Sequence, residues 1–171
     1  MAWHPERYGR TAIGHQDTCD PSPDGYVIGM TVAEMITSHP DRALDANALV
    51  ACIEAAHDCA AACTACADAC LAEDDVAAMR TCIRRDLDCA DIAATAASVL
   101  SRQVAMDLGL VRVVLEACAV AAKKCAIECE QHADHHEHCR ICAQACEALY
   151  AASRSLLETL RDEGVSQPDE R

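Results

Sequence analysis

Phenylalanine is absent from this 171-residue sequence, which has only one tryptophan and three tyrosines. The chain is long enough for one domain with a real core, and such cores ordinarily take much of their buried area from aromatic rings. That source is excluded. Basic residues are scarce: 14 Lys and Arg face 28 Asp and Glu, for a net charge of -14. This excludes binding to nucleic acid or to an anionic membrane. No run of about 18 apolar residues reads as a membrane span. Met1-Ala2-Trp3-His4-Pro5-Glu6-Arg7 has neither the apolar stretch nor the small-residue cleavage site of a secretory signal. The expected compartment is therefore the cytoplasm. Strand signals are missing as well: alternation is poor and β-branched residues are sparse.

What the sequence does have is alanine, leucine, valine and 14 cysteines, within a hydrophobic fraction of 52%. Cytosolic thiols stay reduced, so so many cysteines read as metal ligands rather than a disulfide framework.

Glycine and proline collect in the first 27 residues, around Cys19, Pro21 and Pro23, which predicts an irregular arm. A short helix is expected over 31–38, stopped by His39-Pro40, with Met30 and Met35 packing it onto the rest. Proline then vanishes until Pro168, and the intervening sequence is rich in helix formers. Four helices fit it. The first spans about 45–71, with Asp45 as N-cap. The second starts near Asp74-Asp75 and ends near Ser101. The third spans about 106–131. The fourth begins at Asp134, where Asp134 and Glu137 resemble a capping box, and ends before Gly164. The predicted fold is all-α: an antiparallel up-down four-helix bundle. The predicted organisation is an N-terminal arm with a short helix over 1–44, the bundle over 45–163 and a tail over 164–171.

The cysteines fall at helical spacings. Cys52, Cys59, Cys63, Cys66 and Cys70 occupy a sector of about 60° on the first helix, and Cys118, Cys125 and Cys129 about 40° on the third. Cys82 and Cys89 lie seven apart on the second, and Cys139, Cys142 and Cys146 repeat the same face on the fourth. Four sulfur stripes facing inward line one channel. Their companions on the first helix are alanines, Ala55, Ala56, Ala60, Ala62 and Ala67, so hydrocarbon alone leaves the core short of volume. Void costs about 24 cal/mol per Å³, and something must fill it.

Thiolate is a soft ligand suited to Cu(I), Zn(II) or iron–sulfur clusters. Charge favours Cu(I). Each Cu(I) that replaces a thiol proton leaves the buried charge unchanged, so many ions enter without unpaired charge. Four thiolates on each Zn(II) leave two negative charges per site, with few inward Lys or Arg to balance them. The Cys-x2-Cys-x3-Cys runs lack the further Cys-x2 step and the proline of a bacterial ferredoxin. A purely structural bundle would not need so many thiols.

The two ends differ. Cys70, Cys82, Cys129 and Cys139 share one with His132, His135, His136 and His138. Leu49, Leu100, Leu108, Leu110, Leu156, Leu157 and Leu160 close the other. His132 and His136 continue the third helix's sulfur stripe and are the expected uptake ligands. Asp86 lies near the Cys82–Cys89 face as a minor candidate for ion transfer. No Ser-His-Asp or Cys-His pairing or phosphate loop points to an enzyme. Glu54-Ala-Ala-His57 matches a di-iron motif, but it falls off the sulfur face and has no second copy.

Cys59-Ala-Ala-Ala-Cys63, Cys66-Ala-Asp-Ala-Cys70, Cys125-Ala-Ile-Glu-Cys129 and Cys142-Ala-Gln-Ala-Cys146 resemble the paired cysteines of the bacterial copper storage proteins. The resemblance spans about 45–160. It implies storage of multiple Cu(I) ions by the thirteen cysteines from Cys52 to Cys146, in a homotetramer of the cytosolic branch. Apart from the resemblance, a copper chaperone is a candidate partner. The second helix is sparser in cysteine than the family pattern, and Cys19 lies outside that pattern.

Overall fold

The computed structural model describes residues 32–41 and 44–162. Most of the expected arm, with Cys19, His4, His15 and Met30, and the expected tail over 164–171 lie outside the described residues. All regular structure among the described residues is helical: α1 (Val32–Thr37), α2 (Ala46–Ala72), α3 (Arg80–Leu100), α4 (Leu108–Glu130) and α5 (Glu137–Asp162). The four long helices form a closed antiparallel ring in which α2 packs on α3 and α5, and α4 packs on α3 and α5. Short connections between successive helices make this up-down order the direct solution. α1 packs on α2 alone, through buried Ile36. Met35, expected to do this packing, is exposed, because it is the neighbour of Ile36 on a six-residue helix that has only one inward face.

Two aspartates start the helices as their side chains dictate. Asp45 accepts from the Ala48 N–H at 2.9 Å and Asp107 from the Leu110 N–H at 3.0 Å; such caps contribute about 0.5–2 kcal/mol each. Two other expected starts move. Residues 74–79 form turns rather than helix, with Ala78 N–H bonded to the Asp75 carbonyl and Met79 N–H to the Val76 carbonyl. Met79 is buried there, and its burial fixes the turn and delays α3 to Arg80. The last helix begins at Glu137, not Asp134. Successive turn bonds run through His132, Ala133 and His135, and Glu137 pairs with Arg140 at 2.8 Å instead of reaching back to close a capping box.

The core has two halves. At the end holding the α3–α4 connection it is aliphatic, with Leu49, Ile53, Leu100, Leu115, Leu149 and Leu156 fully enclosed. Leu110, expected in this plug, is 53% exposed; it lies on the outer side of α4, opposite buried Arg112. Towards the α2–α3 and α4–α5 turns the core is cysteine and alanine. α2 has the length and composition of a membrane span. Its sulfur face is nevertheless buried against the neighbouring helices, as a core helix requires.

Candidate metal centre

All thirteen described cysteines are buried free thiols. The stripes predicted from spacing do converge. Cys63 on α2 is the hub: its sulfur lies 3.7 Å from Cys59, 3.8 Å from Cys125, 3.6 Å from Cys142 and 3.4 Å from Cys146. Cys89 on α3 joins the same layer, 3.7 Å from Cys59. Sulfurs held by metal–sulfur bonds of about 2.3 Å in a tetrahedral or trigonal site are about 3.8–4.0 Å apart. The thiols therefore stand close to the spacing of shared ligands. The volume left by the alanine rows is taken up by sulfur in contact with sulfur.

Groups of potential ligands succeed one another along the axis and share members. Cys59, Cys63, Cys89 and Cys146 form one; Cys63, Cys125, Cys142 and Cys146 the next; then come Asp86 with Cys125, Cys129 and Cys142, and Cys66, Cys82 and Cys129 with Asp86. Cys66, Cys70, Cys82 and Cys139 form the outermost. The result is a continuous ladder. Below it, Cys52 lies 4.0 Å from the buried Ser153 hydroxyl, and Cys118 hydrogen-bonds to the same serine.

Asp86 is the residue that sequence reasoning undervalued. It is fully enclosed and accepts from the thiols of Cys125 at 3.0 Å, Cys129 at 3.3 Å and Cys142 at 3.4 Å. Its position four residues after Cys82 and three before Cys89 puts it on the sulfur face, and that signal was present in the spacing. Burial pushes its carboxyl up to about 7, partly offset by the Cys125 thiol. Burial likewise pushes the thiols of Cys52 to about 11 and of Cys70 and Cys118 to about 12. Cys82 moves the other way, because close contacts with neighbouring thiols, Cys129 at 3.6 Å first among them, favour its thiolate. Arg112 is the one buried cation among the described residues, and it sits near the start of α4, at the aliphatic end.

At the open end His138 Nδ1 lies 3.5 Å from the sulfurs of Cys66 and Cys139 and 3.9 Å from Cys70. Its Nε2 lies 3.0 Å from Glu73. This carboxylate also meets His136 Nδ1 at 3.0 Å, and the two imidazoles hold it below the usual carboxylate range, His138 most strongly. His132 instead faces Glu128 at 3.7 Å. Of the expected uptake ligands, His136 thus reaches the mouth through Glu73, and His132 stands in the turn just after α4, its ring centroid 6.5 Å from that of His136. His138, which the stripe argument passed over, is the imidazole in contact with sulfur. His57 is exposed.

Comparison with known proteins gives one consistent picture. The family model described as copper storage protein matches residues 45–158. Ccsp from Streptomyces lividans, a copper storage protein solved with 10 copper equivalents, is 46% identical; the match covers 76% of this chain and 100% of that one, with a TM-score of 0.74. A cytosolic copper storage protein from Streptomyces lividans, solved with five coppers, matches over 66% of this chain and 93% of that one at 50% identity and TM-score 0.65. The Cu(I)-bound copper storage protein BsCsp3 is 36% identical over 63% of this chain and 95% of its own, with a TM-score of 0.56. The uncharacterized cysteine-rich protein YhjQ of Bacillus subtilis is 37% identical over 95 residues, 56% of this chain and 82% of that protein.

Proposed function

The chain belongs to the copper storage protein family, and from that premise we propose that its thirteen buried thiols are the ligands with which it stores Cu(I) as cargo in the cytosol. The observation that carries this reading is the ladder of free thiols at 3.4–4.0 Å, each rung sharing sulfurs with the next. A soft monovalent ion accepts such ligands. Exchange of Cu(I) for a thiol proton keeps the interior neutral, which matters where Arg112 is the one buried cation among the described residues and charge burial is costly. The bundle over 45–163 is the unit that holds the metal.

The open end supports uptake there. His138 lies against three sulfurs, with Glu73 and His136 behind it, while the opposite end is closed by leucine. Copper passes from imidazole to Cys66, Cys70 and Cys139 and then inward past Asp86. Asp86 accepts the thiols' hydrogen bonds and holds them oriented until copper displaces their protons. A copper chaperone is the expected donor at this mouth, and self-association into a homotetramer is the expected quaternary state.

The test is an anaerobic Cu(I) titration of the reduced chain against a competing chelator. The expected result is many tight equivalents per chain, up to about one per buried thiol. One or two equivalents with the remaining thiols still free to react would overturn the reading, and a preference for a few stoichiometric zinc ions would replace it.

A further inference from the structure

The outer face of α4 is more apolar than the faces that α2 and α5 turn to solvent. Leu110, Val113, Val120 and Ile127 are each about half exposed or more, and with Ala117 and Lys124, also exposed, they recur at intervals of three and four. This is the spacing found in the seam of a two-stranded helix pair. The outer face of α2 carries Glu54, His57, Asp58 and Asp68, and that of α5 carries Arg140, Glu147, Arg154 and Glu158, all exposed. Single exposed aliphatics are ordinary, but four large ones in register over about 25 Å of helix, interrupted only by Ala117 and Lys124, mark an interaction surface.

We propose that α4 of one copy packs antiparallel against α4 of a second copy across a two-fold axis. The stripe is complementary to its own reverse. Setting Leu110 against the second copy's Ile127 places Ala117 against Val120 and lays the Lys124 stem on Val113. One flank of the stripe carries Glu116 and Lys123, and the antiparallel register brings each to its opposite number, making two symmetric ion pairs. Lys123 Nζ stands 5.6 Å over the Tyr150 ring, which holds its amine at the rim. The other flank, Val114 and Ala121, is aliphatic and half-buried. Isologous contacts of this kind need the same patch to be self-complementary. The grooves on either side of α4 extend the contact towards the size of a stable interface, about 800 Å² per partner: one includes Ile92 of α3 and the other Tyr150 and Leu157 of α5.

This deepens the self-association proposed above and rests on it only for the existence of an oligomer. The test uses the full reduced chain in sedimentation velocity, with Val120→Glu, Glu116→Lys, Lys123→Glu and the double reversal. Val120→Glu and each single reversal should weaken association at least about 10-fold, and the double reversal should restore it to within about 3-fold. Helical circular dichroism and Cu(I) capacity should stay at wild-type values, since these residues face away from the sulfurs. Carbodiimide treatment of mixed light and heavy chains should link Glu116 of one copy to Lys123 of another. Within one helix these lie about 10 Å apart, beyond a zero-length link. A strictly monomeric chain overturns both readings. An oligomer indifferent to the charge reversals, or without the inter-chain link, overturns the α4 contact alone.

Discussion

Loading the reduced chain with Cu(I) at pH 7.5 is expected to release about one proton for each ion bound at a thiol that burial keeps protonated. Burial holds the Cys52, Cys70 and Cys118 thiols at about 11–12, so fewer than about one in a thousand of each is ionised at that pH. A Cu(I) bound there must therefore displace a proton or leave a positive charge in the core. Among the described residues the interior holds one carboxylate, Asp86, and one cation, Arg112. Any charge accumulated beyond that pair would cost several kcal/mol per ion, and thirteen uncompensated ions would unfold a domain of ordinary stability. The assay is titration in weak buffer with a pH-stat, with native mass spectrometry counting copper on the same sample. Zinc held by four thiolates would release closer to four protons per ion. A ratio well below one for copper would refute the neutral-exchange argument, because it would show charge being stored where the fold has no means to balance it.

Four other outcomes follow from the geometry. Asp86 has its folded carboxyl raised to about 7, so the folded apo chain binds a proton that the unfolded chain releases. Apo stability should fall as pH rises from about 4 to about 7, by up to about 4 kcal/mol. Asp86→Asn should remove that slope in denaturant melts; an unchanged slope would refute the assignment. His138→Ala should slow Cu(I) uptake about 10-fold in stopped-flow loading, with less effect on final capacity. The His132→Ala, His136→Ala pair should also slow uptake, and unchanged kinetics in both variants would remove the mouth from the pathway. Cys63→Ala deletes one buried heavy atom and should cost about 0.5–1.5 kcal/mol of apo stability. It should lose more copper than Cys52→Ala, which sits below the ladder; equal losses would argue against shared sulfurs.

Much of this architecture is legible in the sequence because one periodicity encodes both fold and chemistry. The spacing that makes Cys52 to Cys70 a helical face also makes them ligands that meet. Asp45 and Asp107 cap as their residue type predicts. The turns were harder. Whether Asp134 or Glu137 starts α5 depends on an Arg140 pairing that competes with the capping box, and residues 74–79 look helical until Met79 is seen to fill the core. Asp86 lay on the predicted face, but a lone carboxylate is ordinarily solvated, and only the three helices around it reveal that it is enclosed. His138 could not be reached from a helical wheel. It is one residue off the stripe, and its contact with Cys66 and Cys70 joins the first turn of α5 to the last turns of α2.

The most direct test is a crystal structure of the Cu(I)-loaded chain with anomalous data collected at the copper edge. Anomalous peaks are expected along the bundle axis, from the layer of Cys59, Cys63 and Cys146 out to Cys66, Cys70 and Cys139, each within bonding reach of two or three sulfurs. Copper confined to the surface histidines, with the Cys63 layer empty, would contradict the account.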